Sequence, residues 1–157
     1  GKDNNKKSGK ISVAPYGGMF FQKKIIEEIG YPNEKFFLYS DDHDWSHRII
    51  KKGGFIDLIL DSVIDDIDTS WNLKEKSNSP FYSYLNDVDK YKVYYSVRNR
   101  VYFEKSLLTN DLVYKAHMRL FLLILYFYKN DRNKSQYKMF KRAINDGICN
   151  KLGKINE

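Results

Sequence analysis

The chain has one cysteine, Cys149, and three prolines in 157 residues. A single cysteine excludes an internal disulfide, and with it the small cross-linked scaffolds of secreted domains; it suits a reducing, cytoplasmic compartment. The longest apolar run, Leu120 to Tyr128, is nine residues, against the roughly 20 that a membrane-spanning helix needs. There is no P-loop, no Gly-x-Gly-x-x-Gly, no zinc-spaced set of Cys and His, and no internal repeat. Those absences set aside P-loop nucleotide chemistry, a dinucleotide fingerprint and structural zinc. His43 and His47 stand four apart, as helical ligands would, but no third ligand accompanies them, and with His117 they read as surface or packing histidines. The opening Gly1 to Lys7 is polar with no apolar run behind it, so no signal peptide is expected. A chain that opens on Gly is expected to be a processed or excised piece of a longer protein.

What is present is aromatic and basic. Tyr occurs 13 times, aromatics make up 16% and hydrophobic residues 42%, which is enough for one globular domain with a core and excludes a disordered chain. The formal net charge is +7, pointing to an anionic partner. Between Arg100 and Glu157, 12 Lys and Arg face 5 Asp and Glu, a surplus equal to the whole chain's charge. The basic end and the charge-balanced remainder should therefore do different work.

Patterning divides the chain into a disordered arm at 1–10, a mixed α/β region at 11–70, a linker at 71–80 and a basic helical region at 81–157. Short strands are expected at Ile11 to Pro15 and Met19 to Phe21, separated by a turn at Tyr16-Gly17-Gly18. A helix from Lys23 should close on Ile29-Gly30 before Pro32. Phe55 to Leu60 and Ser62 to Ile67 are β-like. Asp65, Asp66 and Asp68 follow at a strand end, where turns recruit aspartate and metal ions also bind. From Phe81 the period becomes helical, with Tyr91, Val93, Tyr94, Val97, Val101 and Tyr102 as a stripe that Arg98-Asn99-Arg100 interrupts. Asn110 or Thr109 caps a further helix through Tyr128, and a last basic helix runs from about Ser135 to Ile148. Leu120 to Tyr128 is apolar all round, which fits either burial in a helical layer or docking on a membrane face beside Arg119, Lys129, Arg132 and Lys134.

The stretch Phe36-Phe37-Leu38-Tyr39-Ser40-Asp41-Asp42-His43-Asp44-Trp45 carries the most chemical interest. Three carboxylates in four residues open a helix expected from about Asp42 to Lys52, with Gly53-Gly54 as its stop. Asp41 fits the N-cap, and acids are favoured at the positive end of a helix. Asp44 and Arg48, four apart, can pair, leaving Asp42 at the helix mouth. Such a cluster suits a solvated, well-capped helix, and equally a general base that takes a hydroxyl proton.

The order of motifs resembles a known family. Tyr16-Gly17-Gly18-Met19-Phe20-Phe21, a helix closing on Ile29-Gly30-Tyr31-Pro32, the acid stretch with Arg48 and Gly53, Tyr94-Tyr95-Ser96-Val97-Arg98-Asn99, and the ending Ala143-Ile144-Asn145-Asp146-Gly147 with Leu152-Gly153-Lys154 are similar to the acceptor-side half of family 2 glycosyltransferases. The rhamnosyltransferase and galactofuranosyltransferase branch is the most similar, and the resemblance covers about residues 11 to 155.

That resemblance implies the C-terminal portion of a GT-A-type, Rossmann-like α/β domain with short strands, followed by a helical tail. It implies Asp42 as the catalytic base. Asp41, Asp44, Trp45, Gly17, Gly18, Met19, Phe20, Arg98 and Asn99 would bind substrate; Met19 and Phe20 stand where galactofuranosyl enzymes usually carry tryptophan. Asp66 falls where the family places a histidine metal ligand, so Mg²⁺ or Mn²⁺ is the implied ion of the full-length enzyme. The implied activity is inverting transfer from a nucleotide-sugar to a hydroxyl of a cell-surface polysaccharide or lipid-linked glycan, with the protein cytoplasmic or peripheral on the inner face of the membrane. The family's donor-binding βαβ half is not in these residues, so the fragment alone is expected to be inactive. An anionic membrane surface is an expected partner of the basic tail, nucleic acid is not, and an exposed sheet edge would favour a homo-oligomer. The competing expectation is a non-catalytic basic helical module that binds nucleic acid, membrane or a protein.

Overall fold

A computed structural model of the chain describes residues 8–65, 89–130 and 132–155. Helices dominate and one two-stranded antiparallel sheet accompanies them, so the fold is mixed α and β. Two compact units divide the chain: the residues through Asn33 together with those from Asp41 up to the linker region, and Glu34–Ser40 together with the C-terminal helices.

In the first unit β1 (Ser8–Ile11) pairs with β2 (Ile56–Ile59), Ser8 lying opposite Ile59 and Ile11 opposite Ile56. This corrects two expectations: Ser8, Gly9 and Lys10 belong to a strand and not to an arm, and the strand ends where it was expected to begin. The ladder is made by backbone groups, so an exposed polar stretch can pair despite its low strand propensity. Met19 to Phe21 is not a strand either, because the Met19 N–H closes a turn on the Tyr16 carbonyl at 3.0 Å. Residues 62–65 form no strand, and the remainder of that segment lies outside the described residues. Helix α1 (Lys23–Ile29) ends as expected on Gly30, at φ 71°. Helix α2 (Asp41–Lys51) stops at Gly53, φ 83°, where the Gly53 and Gly54 N–H groups return to the Ile50 and Ile49 carbonyls. Trp45 and Arg48 join the two helices: the indole N–H donates to the Gly30 carbonyl at 2.8 Å, and the guanidinium donates to the carbonyls of Ile29 at 2.7 Å and Tyr31 at 2.9 Å. The bond to Ile29 satisfies a carbonyl that the end of α1 leaves without an intrahelical donor, and those to Gly30 and Tyr31 hold the chain just beyond it.

In the second unit α3 (Lys90–Leu107) is capped by Asp89, whose carboxylate accepts the N–H groups of Tyr91 and Lys92. Asn110 caps α4 (Asp111–Tyr128) in the same way, as the sequence leads one to expect. Helix α5 (Lys134–Ile148) lies along α3, and their shared core includes Val93, Tyr94, Val97, Val101, Phe140, Ala143 and Ile144. The Tyr94 hydroxyl donates to Asp146 at 2.8 Å, and burial together with that carboxylate pushes the phenol up to about 12. The expected start of helix near Phe81 lies outside the described residues.

The close approach of α3 and α5 depends on Gly147. A Cβ placed there would sit 2.6 Å from the Arg98 carbonyl oxygen and 2.9 Å from Val101 Cβ. Gly147→Ala is therefore expected to lose about 2 kcal/mol of stability, because backbone must move to admit one methyl group. Chemical denaturation measures it, and a loss below about 0.5 kcal/mol would show that the helices separate freely.

Of the 18 residues of α4 only Tyr114 and Leu125 are buried, with Met118, Phe121 and Leu122 partly buried against the core, so one side of Leu120 to Tyr128 packs inward and the other is exposed. No helix among the described residues is long and apolar enough to cross a membrane.

Ahead of α2 in the chain, a single 3-10 turn at Glu34–Phe36 opens a segment with Phe37, Tyr39 and Ser40 all at positive φ, between 62° and 66°. That conformation is costly for residues with a Cβ. It is held from α3: the two N–H groups of Asn99 Nδ2 are shared among the carbonyls of Phe36, Leu38 and Tyr39, and Arg98 donates to those of Phe36 at 3.0 Å and Gly153 at 2.5 Å.

Candidate functional site

The acids of α2 have different partners. Asp41, Asp42 and Asp44 all lie in the first turn, with Asp41 as the first helical residue where the sequence suggests a cap just outside it. Asp41 is hydrogen-bonded to the Tyr16 hydroxyl. Burial, with the negative charges of Asp41 and Asp42 behind it, raises the Tyr16 phenol well above its ordinary value. Asp44 pairs with Arg48 at 3.3 Å, as the spacing of four implies. Asp42 accepts the His43 N–H at Oδ1, 2.8 Å away. No hydrogen bond from another side chain, and no ion pair, to the Asp42 carboxylate is seen among the described residues.

The chain brings Tyr16 to these acids through two features. Ser46, buried on α2, accepts the Ala14 N–H at 3.0 Å, which ties the approach to Tyr16 onto the helix. The turn at Tyr16-Gly17-Gly18-Met19 then reverses the chain, with Gly18 at φ 73° and backed by Ile64, whose Cδ1 a Cβ at that position would overlap. The positive φ favours glycine at position 18, while the exposed Ile64 side chain can move aside. Met19 is half-buried, and Phe20 is 95% exposed. Tyr16 was not among the candidate site residues, although it opens the Tyr16-Gly17-Gly18-Met19-Phe20-Phe21 motif; its pairing with Asp41 joins residues far apart in the chain.

Three residues expected to touch substrate do something else. Trp45 is 2% exposed and forms the centre of the first unit, with the Phe21 ring 4.8 Å and the Tyr16 ring 6.3 Å from it, centroid to centroid. Arg98 and Asn99 are buried at 1% and 0% exposure, and their donors are taken by the backbone carbonyls of the 36–39 segment and Gly153. Their role in this fold is to hold backbone, and they present no donor to a ligand. Asp66, with Asp68, lies outside the described residues, and Asp65 is exposed. Among the described residues no three His, Cys, Asp or Glu side chains converge as metal ligands. These residues by themselves therefore do not supply a cage for Mg²⁺ or Mn²⁺.

The Asp44–Arg48 pair gives a pH dependence. Burial raises the Asp44 carboxyl above its ordinary 3.8, against the lowering effect of Arg48. The folded chain thus binds that proton more tightly than the unfolded chain does. Asp44 therefore makes stability fall as pH rises from about 3.8 through the folded-state value, the opposite of a carboxylate stabilised by its partner. In a denaturation series across that window, Asp44→Asn is expected to remove this falling component. An Asp44→Asn profile that superimposes on the wild-type profile would show that the pair compensates for its own burial.

Comparisons of the chain with protein-family models, with characterised proteins and with solved structures return no match.

Proposed function

We propose that this chain is the acceptor-activating part of an inverting, family 2-like glycosyltransferase of the GT-A type, in which Asp42 removes the proton from an acceptor sugar hydroxyl. The observation that carries the reading is the division of labour at the mouth of α2. Tyr16 occupies Asp41 and Arg48 occupies Asp44, while the half-buried Asp42 carboxylate keeps Oδ2 for an incoming group. A general base needs such an oxygen within hydrogen-bond reach of its substrate.

In this reading the acceptor hydroxyl donates to Asp42 Oδ2, the hydroxyl oxygen attacks the anomeric carbon of a nucleotide-sugar, and the bond to the leaving diphosphate breaks as the proton passes to Asp42. Asp41 and Tyr16, hydrogen-bonded to one another at the same helix start, would help orient the acceptor. The exposed Phe20 ring offers an apolar face of the kind on which sugars stack. Mg²⁺ or Mn²⁺, with Asp66 as a ligand, belongs to the same proposal as the ion that would neutralise the diphosphate. The work assigned to Asp42 does not depend on it. The acceptor class is a cell-surface or lipid-linked glycan, and the setting is the cytoplasmic side of a membrane.

The reading requires a donor-binding half. Its test is to find a βαβ region with an Asp-x-Asp upstream in the same reading frame, and then to measure sugar transfer by the joined protein. Acceptor-dependent transfer with inversion at the anomeric carbon is expected. A reading frame with no such region, or a joined protein that transfers no sugar, would defeat the proposal.

A further inference from the structure

The outward side of α4 carries an apolar stripe, with the exposed Asp111, His117 and Arg119 beside it in the first half of the helix. Leu112, Leu120, Leu123 and Phe127 form one stripe at spacings of eight, three and four, with exposures of 75%, 55%, 53% and 77%. Ala116, exposed, continues the line between Leu112 and Leu120. Contiguous apolar surface of this kind on a charged protein marks a place where something docks. At 18 residues the helix is about 27 Å long; with Asp111, Lys115, His117 and Arg119 in its first half it is not apolar enough to cross a bilayer, but it is long enough to lie in its surface.

Charge selects among the occupants. Helix α5 runs beside α4: the Tyr137 hydroxyl donates to the Leu122 carbonyl, and the Tyr126 and Tyr137 rings meet at 6.0 Å. Lys134, Lys138 and Lys141 are spaced four and three apart on the exposed side of α5, and Arg119 is exposed on α4 itself. A second copy of the chain brought against this surface would set lysines against lysines. An acidic lipid surface would neutralise them while its acyl region took up the leucines and Phe127.

We infer that the exposed face of α4, flanked by the α5 lysines, is a docking surface for an anionic lipid bilayer, on which α4 lies parallel to the membrane plane with Leu112, Leu120, Leu123 and Phe127 inserted. The inference is independent of the catalytic reading, since vesicle binding is measured without any sugar substrate. It also decides between the two fates the sequence leaves open for Leu120 to Tyr128.

The experiment is flotation of the 157-residue chain with vesicles of phosphatidylcholine alone or with about a third phosphatidylglycerol, at low and high salt. Binding is expected only to the anionic vesicles, with release in high salt. Lys134→Glu, Lys138→Glu and Lys141→Glu together should weaken binding by on the order of a hundredfold. Leu120→Asp, Leu123→Asp and Phe127→Asp together should abolish it. Their side chains are exposed in the fold, so circular dichroism should show the helices intact. If the aspartate variant loses its helices, Phe127→Trp replaces it, and quenching of that indole by brominated lipid carries the test. Absence of binding, equal binding to neutral vesicles, unchanged binding by either triple variant, or an indole that brominated lipid leaves unquenched would overturn the inference. So would a wild-type dimer that the aspartate variant splits, since that result assigns the face to a second copy.

Discussion

Asn99→Ala should lower the stability of the helical unit by about 3 kcal/mol, and Arg98→Lys should do little better than Arg98→Ala. Asn99 Nδ2 serves the carbonyls of Phe36, Leu38 and Tyr39 from a side chain with no exposure, so truncation takes this donor from the part-buried Leu38 and Tyr39 carbonyls, while the Phe36 carbonyl keeps Arg98 and the Leu38 N–H. Those bonds also hold Phe37, Tyr39 and Ser40 at positive φ, which the chain will leave once released. Arg98 acts through its whole fork. Nε donates to Asn99 Oδ1 at 2.8 Å, Nη1 to Gly153 and Nη2 to Phe36, while its carbon Cζ lies 4.9 Å from the Tyr95 ring centroid. A lysine ammonium is one point of charge and cannot span those acceptors or stack on the ring. Asn99→Asp is the sharper variant. It keeps shape and volume but sets an acceptor against three carbonyls, and it should cost more than alanine. Denaturation of each variant gives the measurement. Stability within about 0.5 kcal/mol of wild type for Asn99→Ala would show that water replaces the amide and that the pair is not a clamp.

The same pair shows where the sequence is legible and where it is not. Helix α5 was readable because its core side, Phe140, Ala143, Ile144 and Gly147, repeats at helical spacing against a lysine-rich opposite side. Asn110 and the Gly30 and Gly53 stops were readable because caps are local chemistry. Arg98-Asn99 was visible as a polar break in an apolar stripe, but polar groups facing a ligand and polar groups facing a distant loop's carbonyls look identical along the chain. What distinguishes them is a partner more than 60 residues away. Trp45 misleads for a related reason, since an aromatic beside acids suggests a sugar platform until the Gly30 carbonyl claims its N–H. Leu120 to Tyr128 carries no period at all, so its composition could not say which side faces out. Strand β1 was missed because Ser8-Gly9-Lys10 has no strand composition; pairing with Asp57, Leu58 and Ile59 of β2 creates it.

Asp42→Asn in the joined enzyme should reduce turnover by about 10²- to 10⁴-fold, the range for loss of a positioned general base, with little change in KM. The amide keeps a side-chain oxygen for the His43 N–H, so the helix start survives and the stability change should stay within about 0.5 kcal/mol. Asp41→Asn separates position from charge. Its partner is the Tyr16 hydroxyl, which an amide oxygen can still accept, so turnover should fall less than tenfold. Tyr16→Phe removes that donor and frees Asp41 to move, which should raise KM more than it lowers kcat, as loss of orientation and not of the base. The ordering Asp42→Asn far below Tyr16→Phe and Asp41→Asn is what the proposal demands, because Asp42 is the acid of the three with no hydrogen bond or ion pair to another side chain among the described residues. Near-normal turnover for Asp42→Asn would remove the base from the mechanism. An equal collapse of stability in that variant would instead identify the carboxylate as part of the helix start, and the three acids would then be capping groups of an α2 whose function lies elsewhere.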